Sequence, residues 1–227
     1  QNMQGHALGV ASDSDLFLTG CWADSDTCGV HRWSPDSLEW SFKVPPAEGR
    51  DRPFVTVREG PEGSIWIVEQ LSYRLYRLST TGELLSEWRF APSWLTDWAE
   101  QKPPGGASFE ERGGGAPAVW SPQARVIDIW PTSDRLRVLA ITADLDWASS
   151  SSAGFHDVGQ YFDAVLEERD LQDLALIQAR TFHIESGMPT AFFSHIEVLV
   201  AETHAMSDKL SVWSIKGDFE RTGANAR

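Results

Sequence analysis

The chain has 227 residues, 41% of them hydrophobic, and a formal net charge of −14 from 33 acidic and 19 basic side chains. This hydrophobic content is ordinary for a globular protein and excludes a mainly disordered chain, and no apolar run approaches the ~18 residues that span a bilayer. The negative charge, without a stripe of lysine or arginine, excludes the cationic surface that nucleic acids and anionic membranes require of their partners.

The first predicted repeat covers residues 6–45. Its apolar segments have the length of strands, and turn-forming stretches rich in serine and aspartate, at 12–15 and 34–37, separate them. Short apolar segments joined by polar turns are typical of an antiparallel meander. We predict its strands at His6–Val10, Leu16–Thr19, Val30–Trp33 and Leu38–Val44.

Two cysteines, Cys21 and Cys28, lie within this repeat. In an exported protein they would close a short loop as a disulfide, whereas in a reducing compartment they would remain two thiols. Asp24 and Asp26 lie between them and share the beginning of a calcium-loop pattern, but the later ligands are missing, above all an acid near the twelfth position. The sequence therefore predicts no cofactor, with Ca²⁺ at Asp24 and Asp26 as the metal alternative.

The second predicted repeat, residues 54–91, has the clearest pattern. Apolar segments rich in β-branched and aromatic residues alternate with turns at Gly60–Gly63 and Thr80–Gly82. Between the turns, the residues from Tyr73 to Leu78 alternate with the period of two that is typical of a strand. We predict four strands here and assign the tryptophans of the strands to packing between neighbouring sheets.

Two stretches, 92–122 and 144–161, interrupt the repeats. The first is rich in glycine and the second contains a serine run, so neither suits a core and both are predicted to be long surface loops. Aromatic side chains and a neighbouring His–carboxylate pair on such loops are candidates for ligand contact. The predicted ligand-binding residues are Trp94, Trp98, Phe155, His156 and Asp157.

Two further repeats, 125–183 and 190–220, follow the same plan, although the last strand of the final repeat is predicted to be weak or absent. A period of about 40 residues with four strands per repeat is the signature of a β-propeller, whose blades stack because one blade cannot bury both of its faces. The predicted fold class is all-β: about four blades of four antiparallel strands in one complete or partial propeller domain over 1–227, part of a six-bladed ring.

The second repeat also carries a family resemblance. Its Gly60–Val68 turn and strand, followed by Arg74–Leu85, resembles the NHL-like pattern of six-bladed propellers. With Leu136–Asp144 and Val212–Ile215, the chain is similar to TolB-like and NHL-like bacterial propellers that are secreted proteins or lipoproteins. The resemblance implies an extracytoplasmic setting (periplasmic, secreted or lipid-anchored), with an export signal and further blades upstream, and it transfers no catalytic residue.

The sequence carries no local catalytic motif. None of the six histidines forms an HExxH-type pair, and no nucleophile elbow, phosphate loop or dinucleotide-binding fingerprint is present. These features favour a binding scaffold over an enzyme, with a protein, peptide or carbohydrate as partner. The alternative is a metal-assisted hydrolase or lyase that gathers scattered side chains at the central channel of the propeller.

Overall fold

The computed structural model describes residues 3–4, 10–11, 16–22, 28–95, 124–143, 162–183, 188–193, 197–203, 210–216 and 220–226. Four antiparallel sheets and one short 3₁₀ turn, Pro61–Gly63, account for the described secondary structure. The all-β prediction of successive four-stranded blades is therefore confirmed. Within the described ranges no helix has the length and apolar character needed to cross a membrane.

Two short strand segments lie at one edge of the first sheet. They pair with opposite ends of the same neighbouring strand, Gln4 with Cys21 and Val10 with Phe17. Of the strand predicted at His6–Val10, the described part contains Val10 alone. The strands of this sheet are β1 (Met3–Gln4), β2 (Val10–Ala11), β3 (Leu16–Trp22), β4 (Cys28–Trp33) and β5 (Leu38–Lys43).

The second sheet follows the predicted meander, with its strands in sequence order. Its last turn depends on Gly82, which has a φ of 82° and would place an added Cβ 2.7 Å from the ring of Trp40. Glycine suits this position because the left-handed backbone and the close approach both disfavour a side chain. The strands are β6 (Val55–Glu59), β7 (Ile65–Glu69), β8 (Arg74–Leu78) and β9 (Leu84–Arg89).

The third and fourth sheets repeat the same order. The strands of the third are β10 (Arg125–Pro131), β11 (Arg135–Ala143), β12 (Phe162–Asp170) and β13 (Leu176–His183). Those of the fourth are β14 (Met188–Phe193), β15 (Glu197–Thr203), β16 (Leu210–Lys216) and β17 (Glu220–Ala226).

The prediction of a weak or absent last strand was wrong, because β17 pairs with β16 along its length, Trp213 lying opposite Ala224. The segment has no β-branched aliphatic or aromatic residue from which a strand could be predicted. An outermost strand needs only backbone pairing on one side, so it forms without the usual apolar alternation.

The chain divides into two compact units. The first contains residues 1–92, 129–137 and 168–177, and the second contains residues 93–128, 138–167 and 178–227. The third sheet thus contributes residues to both units.

Within the first unit, the first two sheets pack against each other through an apolar cluster. One face of β7 presents Ile65 and Ile67 to this cluster, and Phe42 of β5 meets the ring of Tyr76 edge-on, with centroids 5.3 Å apart. Burying such a surface is the main favourable contribution to sheet packing. The buried members of the cluster are Phe17, Val30, Val44, Val57, Ile65, Ile67, Tyr76 and Leu78.

Polar contacts reinforce the same junction. The carbonyl of Thr80, in the β8–β9 turn, accepts a hydrogen bond from the Trp40 indole N–H at 3.1 Å and a second one from the Arg32 guanidinium. Arg32 also pairs with Glu39 at 3.1 Å. The turn of the second sheet is therefore held by two strands of the first.

The opposite face of the second sheet carries a stack of aromatic rings. Trp66 is fully buried and stacks on Trp88 of the same sheet, with centroids 5.7 Å apart and planes 4° from parallel. The guanidinium of Arg77 lies 5.6 Å from the Trp66 ring centroid, within the range of a cation–π contact. These two tryptophans therefore contact each other within one blade, in addition to any contact that they make beyond it.

Replacing Ile67 by alanine should destabilise the chain by about 2–5 kcal/mol, because the side chain is fully buried in the junction and its loss leaves a cavity. The matched control is Ile177→Ala on β13, where the side chain is 46% exposed and the loss should be small. Urea denaturation followed by circular dichroism measures both variants. An equal loss of unfolding free energy in the two variants would show that Ile67 does not lie in a packed interface.

Candidate binding site

The structure places one of the predicted ligand-binding residues, Trp94. Trp98, Phe155, His156 and Asp157 lie outside the described residues, as do the two aspartates of the calcium hypothesis, Asp24 and Asp26. In the ranges that the structure covers, no group of three or more His, Cys, Asp or Glu side chains is arranged to hold a metal ion. The calcium hypothesis stays a prediction.

Trp94 belongs to the second compact unit, where its polar groups bond to the protein itself. The indole N–H donates to the Glu167 carboxylate at 2.7 Å, and the Trp94 carbonyl accepts a hydrogen bond from the Thr142 hydroxyl at 3.0 Å. Glu167 is buried on β12, whereas the Trp94 side chain is only partly buried. The two bonds tie Trp94 to β12 and β11.

The two cysteines are joined by a disulfide. Cys21 ends the pairing of β3 with β4, where it lies directly opposite Cys28 with a Cα–Cα distance of 4.0 Å. The bond closes the segment between the strands, to which Asp24 and Asp26 belong.

A buried carboxylate organises one end of the second sheet. Glu69, at the end of β7, accepts hydrogen bonds from the Phe54 amide at 3.1 Å and from the amide and hydroxyl of Ser72, each at 2.7 Å. Burial raises the pKa of Glu69, and the bonds from Ser72 and Phe54 act in the opposite direction. The carboxylate thus ties the chain entering β6 to the β7–β8 turn.

Arg50 stands near this carboxylate. Burial lowers the pKa of Arg50, and the charge of Glu69 opposes that shift. Its guanidinium carbon lies 5.9 Å from the Phe54 ring centroid, the distance of a cation–π contact. Arg50, in the loop between the first two sheets, therefore lies beside Phe54 and near the Glu69 carboxylate at this end of the second sheet.

A second buried charge, Arg169, joins two unusual backbone positions in the first compact unit. Its guanidinium donates to the Leu174 carbonyl at 3.0 Å and to the Tyr73 hydroxyl at 3.3 Å, and lies 4.2 Å from the Phe90 ring centroid. Tyr73 and Leu174 have positive φ angles of 48° and 58°. A left-handed backbone costs free energy in both residues, and it persists where surrounding contacts fix it. Arg169 supplies such contacts.

His31 is also engaged by its own sheet. Its Nε2 lies 3.3 Å from the Gly20 carbonyl, so this nitrogen carries the proton, and Nδ1 accepts from the Ser41 hydroxyl at 2.8 Å. Burial lowers the pKa of His31, and the bond to Gly20 opposes this effect. The imidazole therefore links β3 to β5.

The sequence predicted neither of these roles for Glu69 and Arg169, whereas a hydrogen-bonded packing role is what a lone histidine on a strand, such as His31, predicts. Glu69 carries the one recognisable signal, since an acid that ends a wholly apolar strand must be satisfied by the turn that follows. Arg169 and Tyr73 lie 96 residues apart in the chain, a separation that no local pattern reports.

These features define the class of fold: the described residues form an all-β chain of successive antiparallel sheets, propeller-like blades in which Glu69, Glu167 and Arg169 bond to the protein itself.

No protein-family model matches the chain, and no curated protein matches its sequence. Among solved structures it is similar to an acylaminoacyl peptidase of Pyrococcus horikoshii (11% identity, TM-score 0.47, covering 92% of this chain and 29% of that one). It is also similar to a neuraminidase-like protein of an isolate from a flat-faced bat in Peru (11% identity, TM-score 0.44, covering 92% of this chain and 48% of that one). A third similar structure is the WD40 domain of SCAP from fission yeast (10% identity, TM-score 0.41, covering 94% of this chain and 38% of that one). The chain spans less than half the length of each of these three chains.

Replacing Glu69 by glutamine should lower the free energy of unfolding by about 1–3 kcal/mol. The NH₂ group of the glutamine cannot accept the hydrogen bonds that the amide and hydroxyl of Ser72 donate to the carboxylate. Glu87→Gln on β9 is the matched control, since that carboxylate is exposed. Urea denaturation at neutral pH gives both values. A Glu69→Gln variant as stable as the control would mean that the carboxylate does not hold the turn.

Proposed function

We propose that this chain is an extracytoplasmic β-propeller scaffold that binds a protein, peptide or carbohydrate partner through its loops and strand edges. The observation that carries the proposal is the packing of two successive antiparallel sheets around one apolar cluster. Sheets that stack in this way leave the connecting loops and outermost strands at the surface, which is where scaffolds of this kind recognise partners.

The hydrogen bonding of the buried ionisable groups supports a role in partner binding. Each of four such side chains forms hydrogen bonds with neighbouring backbone or side-chain groups of its own compact unit: His31, Glu69, Glu167 and Arg169. Groups held in this manner stiffen the framework that presents the loops. A stiff framework lowers the entropy lost when a partner binds, which raises affinity.

The proposal also includes the setting and the larger assembly. The Cys21–Cys28 disulfide suits an oxidising compartment, because cytosolic thiols are kept reduced. The resemblance of the Gly60–Val68 stretch to NHL-like and TolB-like repeats supports a bacterial exported propeller of six blades. In such a ring, the blades described for this chain would be joined by others.

An array of extracellular proteins, peptides and glycans tests the binding function directly. The purified chain should bind one class of ligand saturably, and prior unfolding in urea should abolish the signal, because recognition needs the folded loops. Binding to no ligand class by the folded protein would contradict the proposal.

The compartment is tested on protein isolated from its natural source. Thiol titration after denaturation without reductant should find no free thiol, since both cysteines are predicted to be oxidised in the exported protein. Two free thiols per chain would contradict an extracytoplasmic location.

A further inference from the structure

The outermost strand of the second sheet exposes apolar side chains. Leu84 and Leu85 begin β9 and are 45% and 51% exposed. Within the described part of the chain, β9 pairs with β8 and with no other strand. Among the described strands, its outer backbone edge therefore has no pairing partner, and this edge lies beside two exposed leucines.

The other end of β9 carries paired positive charges. Arg89 lies directly opposite Arg74 of β8, an arrangement that holds two side chains of like charge roughly 5 Å apart at their Cβ atoms and costs stability. Among the described residues, neither guanidinium has a carboxylate oxygen within 4.0 Å. Arg89 is exposed and Arg74 is partly buried.

The neighbouring acids do not neutralise this pair by contact. Glu69 lies opposite Arg74 in the register, but its oxygens accept hydrogen bonds from Phe54 and Ser72. Glu87 lies two residues before Arg89 on β9 and opposite Tyr76, and it is exposed. Arg74 interacts with the Tyr76 hydroxyl, so the exposed Arg89 is the side chain placed to receive a carboxylate from a partner, and Arg74 adds positive charge beside it.

We propose that the β9 edge docks an extended acidic peptide segment of a partner protein. An apolar side chain of that segment packs on Leu84 and Leu85, and a carboxylate about five positions away forms charge-assisted hydrogen bonds with Arg89, where the charge of Arg74 also attracts it. Strand rise places the two ends of β9 roughly 17 Å apart, a span that an extended peptide of six residues matches. This inference rests on the proposed binding function and names the partner class.

The observations favour a peptide over an acidic polysaccharide. An unpaired strand edge offers the alternating donors and acceptors that another peptide backbone matches, and exposed leucines suit an apolar side chain. Arginine supplies planar donors that fit a carboxylate in a bidentate manner. A polysaccharide would satisfy the charges but would leave the leucines and the backbone edge without a complementary group.

The test uses a fluorescein-labelled peptide of about eight residues, with one leucine and one glutamate about five positions apart in a serine and threonine background. Fluorescence anisotropy measures its Kd for the whole chain. Arg89→Gln should weaken binding about tenfold or more, because charge-assisted bonds are lost, and Leu85→Ser should weaken it severalfold.

The chain offers matched controls on the outermost strand of the third sheet. Arg180 and Ile177 of β13 are exposed, as their counterparts on β9 are, so Arg180→Gln and Ile177→Ser should leave the Kd unchanged. Replacing the peptide glutamate by glutamine should weaken binding to the unaltered chain as much as Arg89→Gln does. Circular dichroism verifies that each variant is folded.

Three results would overturn the inference: no binding of the peptide, a Kd that Arg89→Gln leaves unchanged, or equal binding of the glutamine peptide. An oligogalacturonate that binds more tightly than the peptide and is weakened by Arg89→Gln would also overturn it, in favour of a carbohydrate. If an array ligand is found and still binds the Arg89→Gln and Leu85→Ser variants, the proposed function stands and this docking edge alone fails.

Discussion

The packing of the first sheet against the second is the interaction on which the rest of the structure depends. One antiparallel sheet cannot bury both of its faces, so each needs a neighbour, and Ile65, Ile67 and Tyr76 bury one face of the second sheet against Phe17 and Phe42 of the first. The Thr80 carbonyl adds polar bonds from Trp40 and Arg32 at the same junction. Apolar burial supplies the larger part of the free energy, and the polar bonds select the orientation of the β8–β9 turn.

Buried charges in this chain connect segments that are distant in sequence. Glu69 joins the loop before β6 to the β7–β8 turn, and Arg169 bonds to Tyr73 and Leu174. Removing one partner of such a contact leaves a buried polar group unsatisfied, which costs more than the net contribution of the bond. These residues therefore fix the β7–β8 turn and the turn between β12 and β13.

Individual strands could be predicted where the period-two pattern was strong, whereas contacts between segments distant in sequence could not be predicted. The alternation from Tyr73 to Leu78 predicted β8 within one residue of its observed start, because period-two patterns are local. β17 was missed because an edge strand requires no apolar pattern. For the site, sequence composition pointed to Trp94, but its bond to Glu167 links residues 73 positions apart and could not be foreseen. The arginine pair of β8 and β9 emerges only from the register of the two strands.

A double-mutant cycle between Phe42 and Tyr76 tests the central claim most directly, since these rings meet edge-on across the junction of the first two sheets. The substitutions Phe42→Leu and Tyr76→Leu remove the rings singly and together while keeping apolar volume, and urea denaturation gives the four free energies of unfolding. Packing of the sheets predicts a coupling of about 0.5–1.5 kcal/mol. Strict additivity, with a coupling below about 0.3 kcal/mol, would mean that the two sheets do not pack as described.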